Sequence, residues 1–319
     1  MGRLLITGGA GFIGSRLAKI AFDKGWNVTV LDNFSTGLHS NLDSLQSKGI
    51  EVSIGDIRDK LLVTSLVAKS TAVVHLAAQV SVPLSVENPE ETMEINVQGT
   101  QNVIDSCLEN GVARLVVASS AAVYGEAETL PLNEEAAGDL LSPYAESKWE
   151  NEQQIIEARL NGLQASCLRF FNVYGAGQRP DGAYAAVIPK FADMMAQGIP
   201  PRINGDGGQS RDFVHVDDVC SAIMTLIEGN WKSESYHVYN VATETKISLL
   251  ELVSVINNSL TKKVPEYSPI KPLHGDDRAG DIRHSMASVS RIKGVLNWQP
   301  SVNFQDGIDE LIAERLAML

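Results

Sequence analysis

Through the first 170 residues, short runs of consecutive apolar positions alternate with longer segments of helical periodicity. Residues 3–6, 27–31, 51–54, 72–76, 114–119 and 164–170 read as strands. They are nearly continuous in Val, Ile, Leu and Ala rather than alternating, as expected when helices cover both faces of a parallel sheet. Between them, residues 12–24, 89–110 and 142–161 read as helices, closed by Gly25, Gly111 and Gly162 as left-handed caps. Such strand–helix alternation predicts a doubly wound α/β domain over residues 1–172. After Asn172 the rhythm breaks. Gly, Pro and polar residues cluster at 174–182 and 200–209, and helices are expected at 184–197, 216–228, 248–258 and 304–317. Residues 173–319 therefore read as a smaller α+β lobe, with 213–241 expected to pack back onto the first.

Composition narrows the function more than the fold. A chain of 319 residues that is 44% hydrophobic can bury one large core. The net charge of −13 argues against nucleic acid or an anionic membrane as partner, because both reward Lys and Arg. It does not exclude nucleotides, since a few local Arg residues and helix N-termini hold a pyrophosphate whatever the global charge. Cys107, Cys167 and Cys220 show no C-x-x-C spacing and the six His residues no ligand spacing, so neither a disulfide framework nor a metal is expected. No run reaches membrane-spanning length and the start lacks a basic n-region, which predicts a soluble, cytoplasmic protein.

Residues 7–14, T-G-G-A-G-F-I-G, follow a strand and open a helix. Glycines at Gly8, Gly11 and Gly14 permit a tight turn, close approach of backbone to a pyrophosphate and close helix–strand packing. Asp32 closes the second strand 18 residues beyond Gly14, where a carboxylate accepts both ribose hydroxyls of an adenosine. It also repels a 2′-phosphate, and residues 33–39 contain no Arg or Lys to receive one, so NAD is favoured over NADP. Asp56 and Ile57, after the third strand, are candidates for the adenine amino group and ring face. Small residues after the fourth strand, Leu76-Ala77-Ala78, let a dinucleotide lie close to the sheet edge. The fold expected is Rossmann-type.

Tyr144 and Lys148 stand four apart on one helical face, behind Ser142 as N-cap and Pro143 at the first helical position. A free phenol with a pKa of about 10 is a poor base. A nearby ammonium and a bound nicotinamide cation are both expected to favour phenolate. Ser119 and Ser120 end the fifth strand at the sheet edge where ligands collect, and a hydroxyl there can bond a reacting sugar oxygen.

Together, the glycine loop, Asp32, Ser120, Tyr144 and Lys148 resemble the extended short-chain dehydrogenase/reductases, and among them the NAD-dependent sugar epimerases and dehydratases. The resemblance spans essentially the whole chain. It implies that Tyr144 is the acid/base, that Lys148 holds the nicotinamide ribose and lowers the Tyr pKa, and that Ser120, four before Tyr124, orients the reacting hydroxyl. It implies further cofactor contacts from Phe12, Ile13, Asn33, Asn96, Ser119 and Phe170. Substrate contacts are implied for Ser81, Val187, Asn204 and Ser285, with Asn172, Arg211 and Arg278 on the pyrophosphate. Homodimerisation is implied, through the helices at 89–110 and 142–161.

Where the dehydratases carry an acidic Asp-Glu pair this chain has Ala121-Ala122, and the related decarboxylases keep a Glu at the position of Ala122. Alanine neither deprotonates C5 nor expels a 6-hydroxyl. What the resemblance leaves is 4-epimerisation of a UDP-hexose: Tyr144 removes the 4-OH proton as NAD⁺ takes hydride from C4, and the 4-keto sugar turns over before reduction. Ser285 stands where narrow-specificity relatives carry a bulky Tyr, which favours the UDP-N-acetylglucosamine/UDP-N-acetylgalactosamine pair alongside UDP-glucose/UDP-galactose. A UDP-uronate or UDP-pentose 4-epimerase shares every catalytic residue, with Arg179, Arg283 or His284 as partners for a carboxylate. A non-catalytic dinucleotide-binding regulator is a third reading, disfavoured by the intact Tyr–Lys pair.

Overall fold

Burial on both faces is what turns the apolar runs into one sheet. A computed structural model describes residues 2–126, 129–138, 140–181, 186–229, 231, 235–276 and 282–318. Strands β1 (Arg3–Thr7), β2 (Asn27–Asp32), β3 (Glu51–Ile54), β4 (Ala72–His75), β5 (Arg114–Ser120) and β6 (Ala165–Phe170) all pair in parallel. The chain continues through β7 (Asn172–Tyr174), β8 (Arg202–Asn204), β9 (Ser210–Arg211) and β10 (Phe213–His215) before β11 (Val238–Val241) returns beside β6. The sheet order is β3-β2-β1-β4-β5-β6-β11. The order reverses between β1 and β4, and in such sheets the ligand crevice opens there, beyond the carboxyl ends of the strands.

The pleat sends alternate residues to opposite faces. Leu4 and Ile6 join Val30, Val74 and Val116 in one core, while Leu5 joins Leu31, Val73 and Leu115 in the other. Helix α1 (Phe12–Asp23) covers the first face, together with a helix from the second half described below. Behind the short α2 (Asp43–Gln46), α3 (Lys60–Val67) supplies Val63 and Val67 to the second core. Asp59 caps α3 by accepting from the Leu62 amide at 3.1 Å. The sequence pattern missed α3, whose two turns are too short for a periodic signal.

After α4 (Val82–Glu87), the single helix expected over 89–110 is three pieces: α5 (Pro89–Met93), a π-helical turn Glu94–Gln98, and α6 (Gly99–Glu109). Then α7 (Pro143–Leu160) runs against β5 and β6, its start fixed by the Ser142 hydroxyl accepting from the Ala145 amide at 3.1 Å.

In the second half, α8 (Val187–Ala196), α10 (Leu249–Lys263) and α12 (Phe304–Met318) bury Ile188, Phe191, Leu252, Ile256, Ile308 and Leu311 in a third core. A capping box, Ser248 with Glu251, starts α10, which outlasts the expected 248–258 by a full turn. Between α8 and α10, α9 (Val216–Glu228) lies on α1 and β5, so this segment covers the first face of the large sheet. Three small pairings complete the lobe: β7 with β10, β9 with β12 (Ile247–Ser248), and β8 with β13 (Leu273–Gly275), and α11 (Ser290–Leu296) follows. The three cysteines are free and buried. Among the described residues no helix is long and apolar enough to cross a membrane.

Candidate active site

The glycine loop is tight for steric reasons that only glycine meets. Gly8 has φ +69°, and a Cβ there would stand 2.6 Å from the Ala77 amide nitrogen. A Cβ on Gly14 would stand 2.2 Å from the Gly8 carbonyl oxygen, forcing α1 off the strand end. Gly11, the extended N-cap of α1, offers no side-chain cap, so the first-turn N–H groups beside Phe12 and Ile13 are presented toward an anion. Asp32 accepts from the Ala10 and Phe34 amides at 2.9 and 2.8 Å, holding the loop. A carboxylate has about four acceptor positions, so two remain for ribose hydroxyls. Loop, helix start and Asp32 fit a dinucleotide.

Two expected adenine contacts are otherwise engaged. Asp56 receives four hydrogen bonds, three from Arg58 at 2.8–3.0 Å and one from Asn33 at 3.0 Å, which fill its capacity. The Arg58 guanidinium holds the Asp56 carboxyl down at about 2. Ile57 is 5% exposed and packs in the second core, against α6.

At the end of β4, a buried hydrogen-bond chain fixes the sheet edge where Leu76, Ala77 and Ala78 are half-buried. The Thr100 hydroxyl donates to the Asn96 carbonyl at 2.5 Å, so it must accept from His75 Nε2 at 2.9 Å. His75 Nδ1 then accepts from the Thr7 hydroxyl at 2.7 Å, and Thr7 Oγ1 accepts the Ala77 amide at 3.3 Å. Both imidazole positions are used by the neutral ring, and burial, with repulsion from Lys148, pushes its pKa down to about 3. An unfolded histidine titrates at about 6.5. The unfolded chain therefore binds more protons across pH 6.5 to 3, and stability on the order of 4 kcal/mol is lost as pH falls through that window. A urea-unfolding series over pH 7 to 4 should show this slope, and His75→Gln should flatten it.

Asn96 sits in the π-helical turn and is 1% exposed, not at an open cofactor surface. Its side chain exchanges hydrogen bonds with the Gln79 backbone at 2.7 and 2.9 Å and donates to Ser147 at 2.9 Å. Its carbonyl accepts from Asn151 as well as Thr100. The Asn96 side chain thus ties α7 to the loop after β4, and its carbonyl, in the π turn, bonds α7 as well, at the break in the expected helix. Ser81, further along that loop, caps α4 by accepting the Leu84 amide at 3.3 Å.

Tyr144 is half-buried beside Ser120, a polar neighbour that opposes the effect of burial on the phenol, and the Ser120 hydroxyl caps the 3₁₀ turn Ala121–Tyr124 by accepting the Ala122 amide at 3.2 Å. Lys148 Nζ lies 6.0 Å from the Tyr144 ring centroid and donates to the Ala118 carbonyl at 2.9 Å. Burial raises the Tyr144 phenol above its ordinary value, opposite to the expected depression. The ammonium does not offset this, because it is directed at a strand carbonyl rather than at the phenol oxygen. Burial also lowers Lys148, to about 8.

Ser119, expected at the cofactor, is turned inward and 3% exposed. Its hydroxyl donates to Glu152 at 2.6 Å. Glu152 accepts from Arg169 at 2.8 and 2.7 Å, and Arg169 also donates to Tyr124 and to the Glu134 carbonyl at 2.9 and 2.7 Å. Tyr124 donates to Asn240 at 2.6 Å, whose amide is held by Glu134 at 2.9 Å. This buried network joins β5, β6, β11 and α7 directly beneath Ser120 and Tyr144. Nothing in its scattered polar residues distinguishes it from surface in the sequence.

On the second lobe, Asn172 is half-buried and donates to the Asp212 carbonyl at 2.9 Å. Arg211 donates to the Ser210 carbonyl at 3.0 Å, Asn204 is exposed on β8, and Val187 begins α8. Phe170 ends β6, half-buried. The Asp212 carboxylate, fully buried, was not anticipated. It accepts from Thr243, Glu244 and Ala287 at 2.7–3.2 Å, pinning the segment that carries Ser285, whose amide donates to the Ser210 carbonyl at 3.1 Å. Arg179 pairs with Asp181, Arg283 with Asp206, and His284 with Ser210. Arg278 lies outside the described residues, as do Gly182 to Ala185. Among the described residues, His215, Asp217 and Glu310 bring possible metal ligands within 4.8 Å of one another, but Arg16 already bonds both carboxylates.

Residues 4–242 match the family profile described as the NAD dependent epimerase/dehydratase family. The chain is 36% identical, over 97% of each sequence, to a putative UDP-glucose 4-epimerase of Methanocaldococcus jannaschii. A UDP-N-acetylglucosamine 4-epimerase of Methanobrevibacter ruminantium, solved in complex with UDP-N-acetylmuramic acid, superposes with a TM-score of 0.92 at 32% identity, covering 100% of this chain and 99% of that one. A UDP-glucose 4-epimerase of Thermus thermophilus solved with NAD gives 0.84 at 33% identity, covering 99% and 100%.

Proposed function

Because this chain belongs to the NAD-dependent epimerase/dehydratase family and NAD is the cofactor of its enzymes, we propose that it is a 4-epimerase of UDP-N-acetylglucosamine and UDP-N-acetylgalactosamine that also takes UDP-glucose and UDP-galactose. The observation that carries the reading is Tyr144 standing beside Ser120 at the sheet edge, next to a turn whose first residues are Ala121 and Ala122. One acid/base and one orienting hydroxyl stand there, with no carboxylate in the turn for dehydration.

Gly8, Gly11, Gly14, Phe12, Ile13 and Asp32 would hold NAD, with Lys148 toward its nicotinamide ribose, and the bound cofactor supplies reversible oxidation at the sugar carbon. The protein's own part is proton transfer and orientation. Tyr144 takes the proton from the 4-hydroxyl, and Ser120 fixes that oxygen by a hydrogen bond. The same pair returns the proton after the 4-keto sugar has presented its other face. Asn172 and Arg211, with Arg278, would hold the pyrophosphate about which the sugar turns. A homodimer would form through α5 and the start of α7, where Pro89, Met93, Val97 and Pro143 line a surface groove.

The acetamido preference rests on Ser285, half-buried and backbone-bonded to Ser210. Replacing Ser285 with Tyr should lower kcat/KM for the acetylated pair at least tenfold more than for UDP-glucose, since overfilling a packed pocket costs about 1–3 kcal/mol. Equal loss for both pairs would refute this pocket assignment. A UDP-uronate reading draws on Arg179 and Arg283, because their exposed ion pairs are worth about 0–1 kcal/mol and exchange readily for a substrate carboxylate. The test of the whole proposal is release of NAD from denatured protein, followed by NMR of fresh enzyme with a panel of UDP-sugars and no added reductant. Turnover that consumes free NAD⁺ stoichiometrically would reject epimerisation.

A further inference from the structure

Tyr144, Lys148 and Glu152 recur every fourth residue, so they form one row along α7. The first two belong to the proposed chemistry; the third has no part in it. Glu152 is nonetheless 1% exposed, and a buried carboxylate persists only when its charge is compensated. Arg169 compensates it, by two hydrogen bonds of 2.8 and 2.7 Å. The remaining donor is the Ser119 hydroxyl at 2.6 Å, from the residue just before Ser120. The Lys148 ammonium in turn donates to Ala118, just before Ser119. Two consecutive residues at the end of β5 are thus fastened to two consecutive rungs of α7, Ala118 to Lys148 and Ser119 to Glu152, and the next residue, Ser120, neighbours the next rung, Tyr144.

We propose that Glu152 is a positioning residue for the reaction proposed above, fixing the register between the end of β5 and α7 and supplying the negative charge behind the Lys148 ammonium. The proposal rests on that reading for its kinetic consequence, though not for its physical test. Burial works against the Lys148 charge, and the attraction of Glu152 opposes it. Cys167 also neighbours Lys148, but its thiol is held well above its ordinary pKa by burial and stays neutral. His75, on β4, faces Lys148 as a neutral ring and contributes no charge. Arg169, the cation bonded to Glu152, lies in the same core and offsets part of that attraction. Below about pH 8 the ammonium is present, and above it the positive charge beside Tyr144 is lost.

The experiment is the titration of Lys148 in the NAD-bound protein, followed by ¹⁵N-lysine NMR and assigned with Lys148→Arg. Glu152→Gln is expected to lower the midpoint by about one unit, a tenfold shift in the protonation equilibrium. Ser119→Ala, which removes the hydrogen bond but keeps the charge, should leave the midpoint in place. The alkaline limb of kcat/KM should move down with the Lys148 midpoint in Glu152→Gln, and Lys148→Arg should abolish that limb in either background. Should Glu152→Gln not fold, Glu152→Gln combined with Arg169→Met removes the orphaned guanidinium as well, and a smaller shift in the same downward direction is expected, because Glu152 is the nearer charge. An unmoved Lys148 midpoint, or a loss of activity uniform across pH, would overturn the proposal. If no UDP-sugar turns over, the reaction reading fails while the NMR titration still decides the role of Glu152.

Discussion

Replacing Tyr144 with Phe should lower kcat by about 10²–10⁴, the range over which a positioned general acid/base contributes. The ring and its packing are retained, so the loss isolates the phenol oxygen beside Ser120. NAD released on denaturation should remain at the wild-type level, because the glycine loop and Asp32 are untouched. Wild-type turnover in this variant would remove Tyr144 from the mechanism. Burial keeps the resting phenol protonated, so the cofactor-free protein should show no phenolate absorbance from this residue at neutral pH. Lys148, 6.0 Å from the ring centroid, would have to turn from Ala118 toward the phenol, or toward a ribose bridging the two, when the site fills.

The largest stability effect should come from Arg169→Met. Arg169 is among the largest fully buried side chains, and its removal strands Glu152 with Ser119 as its single hydrogen-bond donor. Breaking one side of a buried pair costs about 3–5 kcal/mol, through the charge left uncompensated. The urea midpoint should fall accordingly at an unchanged m-value. Removing Glu152 as well should restore part of the loss, giving a coupling well outside additivity. A variant as stable as wild type would mean that the network is incidental. It would also weaken the case that the β5–α7 register depends on this pair.

Much of the architecture was legible because it depends on local chemistry. Continuous apolar runs marked the first six strands to within a residue or two at each end, since a strand buried on both faces needs no polar alternation. Ser142-Pro143 and Ser248 marked helix starts because capping is decided within three or four residues. The long helix over 89–110 failed for the opposite reason. Its π turn is stabilised by Thr100 and by Asn151 on α7, and a contact across 55 residues leaves no mark in a local pattern. Ser119 and Ser120 show the same limit at the site: adjacent and chemically identical, they differ only in what each meets across the fold.

By itself the sequence determined the alternation of elements, the glycine loop with its carboxylate, the Tyr–Lys pair and the alanines at 121 and 122. All of these are encoded by residue type at fixed short spacing. Only the tertiary structure decided which polar residues are spent on holding the site. Asp56 is saturated by Arg58 and Asn33, Asn96 binds the loop after β4 to α7, and Glu152 and Arg169 anchor the strand ends beneath Tyr144. The physical reason is capacity: a carboxylate or amide has a fixed number of hydrogen-bond positions, and only the folded chain shows which are already filled.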